Sequence, residues 1–234
     1  MLRSYIWGQM KILRQQNVTL ADLLPEAVWD KLCAAGSLTL YSDNQLIEER
    51  GDTRNGISLV VSGEVAAGNI RHDGSFLVSG LLRQGECFGE FTAFLGLPQT
   101  HSLWANGQTE IVFVSQSNLT ALLKSQPLLY EALLKLALWR NVEILDFLDA
   151  QRRLPLSLRI ARLLLASPGK GPDQSEVDCR QEDLANTLGV SRVAIGKALK
   201  KLASEGLVEI GYGKITLLDR ARMSQRICAE QSAA

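Results

Sequence analysis

The sequence predicts an α+β protein in three successive parts: a sheet-rich N-terminal part, one long helix and a C-terminal winged helix-turn-helix. Three observations predict this order. Short apolar runs punctuated by glycine fill about residues 37–115, leucines recur at helical spacing after Pro127, and a helix-turn-helix pattern starts at Gln181. We therefore expect a sheet-rich domain over residues 1–125, a long helix over 126–153 and a domain with the helix-turn-helix over 154–234.

Composition fits a folded protein without a strong overall charge. Of the 234 residues, 46% are apolar and 21% are charged, which excludes a disordered or collagen-like chain. Lys and Arg total 25, as do Asp and Glu, so a basic coat over the whole surface is excluded and a local basic patch is not. The sequence has no run of about 18 apolar residues, and residues 1–10 lack the apolar segment of a signal peptide. We expect a cytoplasmic protein without a membrane span.

Few residues are suited to metal or catalytic chemistry. The four cysteines are scattered and only two histidines are present, so metal-ligand spacing is absent. The chain also has no P-loop, nucleophile elbow or dinucleotide fingerprint. We expect no cofactor, no metal and no enzymatic activity. The residues concerned are Cys33, Cys87, Cys179, Cys228, His72 and His101.

The N-terminal part reads as an antiparallel sandwich or barrel. Short runs rich in Val, Ile and Phe predict strands, and glycines recur every eleven or twelve residues between them. Asp73 and Gly74 predict a tight hairpin turn. The runs and glycines are Ile57–Ser62, Phe76–Ser79, Glu110–Ser115, Gly51, Gly63, Gly74 and Gly85.

Two helices follow. Ser117 is expected to cap a short helix over Asn118–Ser125, and a longer one runs from Pro127 to about Arg153. Positions spaced 4, 3, 4 and 3 along the longer helix, all apolar except one asparagine, form a heptad seam that is typical of a two-stranded coiled coil. A second apolar stripe would pack on the helix's own domain; the alternative is an ordinary core helix. The predicted dimer seam is Leu134, Leu138, Asn141, Leu145 and Leu148, and the second stripe is Leu129, Leu133, Leu136, Ile144 and Phe147.

The strongest local pattern is the helix-turn-helix. Gln181–Leu188 predicts a first helix, Gly189 supplies a left-handed turn, and Ser191 caps the second helix. Ala185 is small enough for two helices to cross, and Ile195 would fix the second helix on the first.

The second helix is basic on its outer face. Residues 180–201 contain five basic and two acidic side chains. Arg192 is suited to a bidentate contact with guanine, and the lysines to phosphates. The alternative is a solvated helix in a protein-interaction module. The predicted DNA-contacting residues are Arg180, Gln181, Ser191, Arg192, Val193, Lys197, Lys200, Lys201 and Lys214.

The C-terminal segments complete a winged helix. Ser157–Ser167 predicts a helix, and a polar loop, Ser167–Glu176, follows it. Leu207–Ile210 and Lys214–Leu218 flank a glycine turn and predict the wing hairpin, with Lys214 near a phosphate.

These segments together resemble the cyclic-AMP receptor protein/fumarate-nitrate regulator (Crp/Fnr) family of bacterial transcription factors. The resemblance covers about residues 20–220 and is carried by Leu59–Val65, Gln84–Glu90 and Cys179–Gly196. It implies that residues 1–125 form an effector or sensor domain built on a β-roll of the cyclic-nucleotide-binding type. It also implies that residues 126–153 form the dimerisation helix of a homodimer and that residues 154–234 form a DNA-binding domain for a pseudo-palindromic operator. It also implies that the loop Ser167–Glu176 lies where related activators touch RNA polymerase.

The resemblance also locates an effector pocket, which departs from the cyclic-AMP pattern. Gly89 and Glu90 match the family's Gly-Glu pair, but the Arg-Ser pair reads His101 and Ser102, so the arginine fork for phosphate is missing. The Thr-Ser pair that reaches the base falls at Ile144 and Leu145, which cannot hydrogen-bond an adenine. We expect a small effector other than cyclic AMP, or none.

The sequence thus predicts a homodimeric, sequence-specific DNA-binding regulator. The alternatives are a cyclic-nucleotide-responsive regulator with a diverged phosphate site and a sensor whose C-terminal domain binds protein. The sequence does not distinguish an activator from a repressor.

Overall fold

The computed structural model describes residues 18–70, 76–167, 169–170, 173 and 175–233. The predicted turn at Asp73–Gly74, His72 and residues 1–10 lie outside these residues. The described chain forms two compact units that meet within one helix: residues 17–142 belong to the first unit and residues 143–234 to the second.

Two four-stranded antiparallel sheets form the first unit, as the glycine-punctuated apolar runs predict. One sheet has the order β1-β8-β3-β6 and the other β2-β7-β4-β5. Val60, Val65, Phe88, Leu103 and Ile111 form a buried cluster that joins the two sheets. The strands are β1 (Ser37–Tyr41), β2 (Leu46–Glu48), β3 (Gly56–Ser62), β4 (Glu64–Ile70), β5 (Phe76–Arg83), β6 (Cys87–Phe88), β7 (Ser102–Ala105) and β8 (Thr109–Ser115).

Helices pack on the first sheet of this unit through a second buried cluster, which includes Leu20, Leu32, Leu119, Leu129 and Leu136. The cluster explains the second apolar stripe of the long helix, because its first half is buried there. The helices are α1 (Leu20–Leu23), α2 (Glu26–Ala34), α3 (Glu90–Leu95), α4 (Gln116–Ser125) and α5 (Pro127–Arg153).

The predicted bounds of α5 are confirmed, whereas those of α4 are wrong at the N-terminus. The helix begins at Gln116, and its cap is Ser115, whose Oγ accepts a hydrogen bond from the Asn118 backbone N–H. Ser117 lies inside the first turn. Either serine could cap a helix by its residue type. Ser115 is the cap because its backbone is still extended (ψ 156°) at the end of β8, as a cap residue requires.

The second unit is a helical domain with a three-stranded sheet. Its core joins the second half of α5 to α6 (Leu156–Ala166), α7 (Gln181–Leu188), α8 (Arg192–Ser204) and α9 (Arg220–Ala233). The sheet has the order β10-β11-β9, from β9 (Glu176–Asp178), β10 (Val208–Gly211) and β11 (Lys214–Leu217). The wing hairpin was predicted, but its third strand, β9, was not. Helix α6 lies one residue earlier than predicted.

Candidate nucleic-acid interface and effector pocket

The helix-turn-helix forms as the sequence predicts. Gly189 ends α7 in the left-handed conformation (φ 66°), and the Ser191 Oγ caps α8 by accepting from the Ala194 N–H at 3.2 Å. Leu184 and Ile195 are fully buried between the two helices, and Ala185 is buried beside them. This packing fixes which face of α8 is turned to the core.

The opposite face of α8 carries free positive charge. Arg192, Lys197, Lys200 and Lys201 are all exposed. Within the described part of the chain, none of these four side chains forms an ion pair or a hydrogen bond. Val193 is 69% exposed on the same face. The exposed face of α8 therefore offers four cationic side chains and one branched apolar side chain to a partner.

Arg180 and Gln181 lie at the start of α7. The Arg180 backbone N–H donates to Asp183 Oδ2 at 2.8 Å, which leaves the exposed Arg180 side chain at the helix N-terminus. Burial raises the pKa of the Asp183 carboxyl. Gln181 Oε1 lies 3.3 Å from the position that a Cβ on Gly196 would take, so Gln181 packs against α8.

Lys214 is partly neutralised. Its Nζ lies 2.7 Å from Glu176 Oε2 on the neighbouring β9, and this hydrogen bond raises the lysine pKa. The prediction of a free phosphate contact at Lys214 did not include this partner, because the two residues are 38 positions apart.

The wing turn presents an aromatic residue that the sequence analysis did not select. Tyr212 is fully exposed at the tip, between two glycines. A cleft of about 270 Å³ is lined by the start of α7, by Arg192 and by this turn. A tyrosine between two glycines at a hairpin turn is expected to be exposed, so the sequence alone could have identified Tyr212 as a candidate contact residue.

In the first unit, Gly89 occupies a position that only glycine tolerates. Its φ is +91°, and an added Cβ would lie 2.8 Å from the Gly56 carbonyl oxygen. This conformation starts α3 and places Glu90 in its first turn.

Glu90 is held by an arginine that the sequence analysis missed. Arg140, on α5, donates from Nη1 to Glu90 Oε1 at 2.5 Å and from Nη2 to the Cys87 carbonyl at 2.9 Å. Burial alone would lower the Arg140 pKa, but Glu90 and its neighbours raise it above the ordinary value. The Cys87 thiol donates to the same carboxylate oxygen at 3.1 Å, and burial raises its pKa well above the usual range.

His101 and Ser102 lie at the start of β7. Burial, and then the charge of Arg50, lower the His101 pKa, so the imidazole is neutral at pH 7. Ser102 is buried, and its Oγ accepts from the Arg50 backbone N–H at 3.1 Å. The position where the family's arginine would stand thus carries an uncharged ring.

A buried carboxylate fixes the loop before this pair. Glu48 accepts hydrogen bonds from Gln99 Nε2 at 2.6 Å and Ser58 Oγ at 3.2 Å, and burial raises its pKa. The Gln99 backbone N–H also donates to the Asp52 carbonyl at 2.8 Å. Glu48 therefore positions the segment that leads to His101.

The remaining predicted residues lie on α5 and are exposed. Leu138 is 55% and Leu145 57% exposed, and Ile144 is exposed to a similar degree. The other members of the predicted seam, Leu134, Asn141 and Leu148, are also exposed.

Within the described residues, no three His, Cys, Asp or Glu side chains are grouped to hold a metal ion. None of the described helices is long and apolar enough to span a membrane.

Both units match known families. Residues 38–126 match the cyclic nucleotide-binding domain, and residues 158–226 match the Crp-like helix-turn-helix domain. The cyclic AMP receptor protein of Thermus thermophilus is 28% identical over 209 residues, which are 87% of this chain and 93% of that protein. The cAMP-activated global transcriptional regulator Vfr of Pseudomonas aeruginosa is 27% identical over 196 residues, 77% of this chain and 89% of that protein.

A solved structure shares the fold. A mutant of CooA from Carboxydothermus hydrogenoformans gives a TM-score of 0.68 at 17% identity, covering 92% of this chain and 98% of that chain. The first unit thus matches the cyclic nucleotide-binding domain, the second unit matches the Crp-like helix-turn-helix domain, and the relatives that match most of the chain are regulators. The chain therefore belongs to the Crp/Fnr family of DNA-binding transcription regulators.

Proposed function

We propose that the chain acts as a homodimeric, sequence-specific transcription regulator in the cytoplasm, by binding and without catalysis. The observation that carries the proposal is the exposed face of α8, where four cations have no partner among the described residues. Two such helices in a dimer would enter successive major grooves about 34 Å apart and read a pseudo-palindrome.

The long helix supports the dimer. Large apolar side chains along α5 are about half exposed, and water contact with so much apolar surface is unfavourable. A second copy of α5 packed on the seam that includes Leu138 and Leu145 would cover it. Asn141, within the seam, would favour a defined register.

The side chains of α8 divide into two roles. Arg192, in the first turn, would donate both guanidinium N–H groups to a guanine, and Val193 would contact a thymine methyl. Lys197, Lys200 and Lys201, further along the helix, would contact phosphates, which position the protein without reading sequence. Tyr212 and Lys214 of the wing would lie along the DNA backbone. Arg180 and Gln181, at the start of α7, would also contact the DNA.

Selection from randomised duplexes tests this proposal. We expect an enriched pseudo-palindrome, and a Kd for that duplex at least ten times weaker after Arg192→Ala, with relaxed preference at one base pair per half-site. Lys200→Ala is the matched variant: it should weaken all duplexes alike and reduce the salt dependence. An absence of any enriched motif would favour a C-terminal domain that binds protein.

We propose an effector other than cyclic AMP, or none, for the β-roll. His101 lacks the fork that suits a phosphate, Glu90 is already paired with Arg140, and Ile144 and Leu145 have no polar group for a base. The alternative, a cyclic-nucleotide-responsive regulator, is supported by relatives whose names describe a cyclic AMP receptor and a cAMP-activated regulator.

Titration calorimetry with cyclic AMP and cyclic GMP separates the two. We expect no binding at micromolar concentration. Micromolar cyclic AMP binding that survives His101→Ala would contradict our interpretation.

Should an effector act, we propose that it shifts α5 and the hinge at Leu154–Pro155 and so changes the orientation of α8. Contact between the Ser167–Glu176 loop and RNA polymerase is a further proposal; residues 168, 171, 172 and 174 of that loop lie outside the described chain.

A further inference from the structure

A second cleft lies within the DNA-binding unit. Its volume is about 160 Å³, and it opens between the last turns of α5 and helix α6, with Leu188 of α7 on one side. An apolar cavity of about 150 Å³ accommodates a benzene ring, so the cleft has room for a compact, ring-sized molecule.

One arginine in this cleft has an unsatisfied donor. Arg159 Nη1 donates to Gln151 Oε1, which holds the guanidinium in place. The Arg159 Nε has no hydrogen-bond partner among the described residues, and neighbouring protein atoms cover it, so a ligand reaches this N–H only after a small displacement of the side chains around it. Nε and Nη2 form one edge of the guanidinium with two parallel N–H groups, and this spacing matches the two oxygens of a carboxylate.

The other charges of the lining limit what binds there. Arg162 is already engaged, since its Nη1 donates to the Asp146 carbonyl at 2.9 Å and its Nη2 lies 3.9 Å from Asp146 Oδ2. With Glu143, the lining has two basic and two acidic side chains. This charge balance disfavours the binding of phosphates and other multiply charged anions. It favours a ligand with a single carboxylate that is bound by Arg159.

The rest of the lining is apolar, and it includes Phe147, Leu163 and Leu188. We propose that this cleft binds a small organic acid, with its carboxylate on the Nε–Nη2 edge of Arg159 and a compact apolar body against these three side chains. The ligand would join the end of α5 to α6 across Leu154–Pro155 and fix the angle between them. Control of DNA binding by this ligand rests on the proposed function, whereas the binding itself does not.

Calorimetry on the full chain without DNA tests the binding. Benzoate should bind saturably, one per chain, and its uncharged isostere benzamide at least tenfold more weakly. Arg159→Gln should weaken benzoate binding at least tenfold, and so should Arg159→Lys, which keeps the charge but loses the fork. Arg153→Gln is the matched control, because Arg153 is exposed, pairs with Asp149 and lies outside the cleft; it should change nothing.

A variant that fills the cleft provides an independent test. Ala166 lines the cleft and is exposed, so Ala166→Trp places a ring in it without removing a charge or a core residue. Benzoate binding should be lost although Arg159 is intact. Isovalerate and leucine serve as further probes: binding of either that depends on Arg159 supports a carboxylate with an apolar body, and leucine alone would identify an amino acid.

Two results would overturn the proposal. One is the absence of saturable binding for benzoate, isovalerate and leucine alike. The other is benzoate binding that neither Arg159→Gln nor Ala166→Trp weakens. Since no DNA is present, failure of this site and failure of the regulator proposal give different results.

Discussion

Gly89, one of the predicted effector-site residues, stands at a position that a side chain would disturb in two ways. Its positive φ and the nearby Gly56 carbonyl leave no room for a side chain. The same α3 helix ends at Gly96, which also has a positive φ (65°) but nothing within 4 Å of an added Cβ. An alanine at Gly96 would therefore meet backbone strain alone, whereas an alanine at Gly89 would meet backbone strain and a steric clash.

We predict that Gly89→Ala destabilises the first unit more than Gly96→Ala does. The Gly96 variant should lose about 1 kcal/mol, the usual cost of a left-handed alanine. The Gly89 variant should lose more, since the backbone must also move from the carbonyl oxygen. Urea unfolding of both variants measures the difference, and equal losses would show that the Gly56 carbonyl yields freely.

The buried Glu48 carboxyl predicts a pH effect. Its pKa is raised by burial, so the folded state binds the proton more tightly than the unfolded state does. The ionised group therefore reduces stability, and this cost appears as pH rises from the unfolded pKa, near 4.5, through the higher folded value.

We expect Glu48→Gln to remove that pH dependence. Its free energy of unfolding relative to wild type should improve from pH 4 to pH 7, measured by urea unfolding at both values. Glu49→Gln, the same substitution at the exposed neighbouring position, is the comparison. A difference between Glu48→Gln and wild type that is constant across this range would contradict the direction of the shift.

At the scale of elements, α8 depends on its cap. The Ser191 Oγ satisfies one of the N–H groups that the first turn leaves without a helical partner. Because Arg192 and Val193 lie in that same turn, fraying would move the residues proposed to contact bases.

Ser191→Ala should cost about 1 kcal/mol of stability, and Ser191→Asn much less, because asparagine also caps. Thermal unfolding measures this. If Ser191→Ala retains the wild-type Tm, the cap does not stabilise α8.

Elements with strong local patterns could be predicted from the sequence, and contacts between distant residues could not. The bounds of α5, α7 and α8 follow from heptad spacing, a proline, caps and Gly189. The contact between Arg140 and Glu90 could not be predicted because the two residues lie 50 positions apart, and the contact between Lys214 and Glu176 was missed for the same reason.

Helix α2 and strand β9 were not predicted either; β9 has three residues and is a strand only because β11 pairs with it. The roles of the site residues stay predictions.

At the scale of the molecule, the exposed leucines of α5 predict the oligomeric state. Leu138→Glu combined with Leu145→Glu would place four carboxylates in the seam of a dimer, and their repulsion and desolvation should prevent association. We expect a dimer for wild type and a monomer for the double variant in sedimentation velocity.

The control for this experiment is Leu40→Glu, at an exposed leucine on β1 that is not part of α5. It should remain dimeric. A double variant that still sediments as a dimer would place the interface elsewhere.

The pairing of the wing with β9 has a mechanical consequence. The Cys179 N–H donates to the Gly213 carbonyl at 3.0 Å, and Val177 pairs with Ile215, so the hairpin is bonded to the segment that leads directly into α7. A hairpin bonded in this way cannot swing independently of the helices beside it. In the proposed complex with DNA, the wing and the helix-turn-helix would therefore bind a half-site as one rigid unit. An operator whose flanking backbone is displaced would have to bend to fit the protein, because the wing cannot move towards it alone.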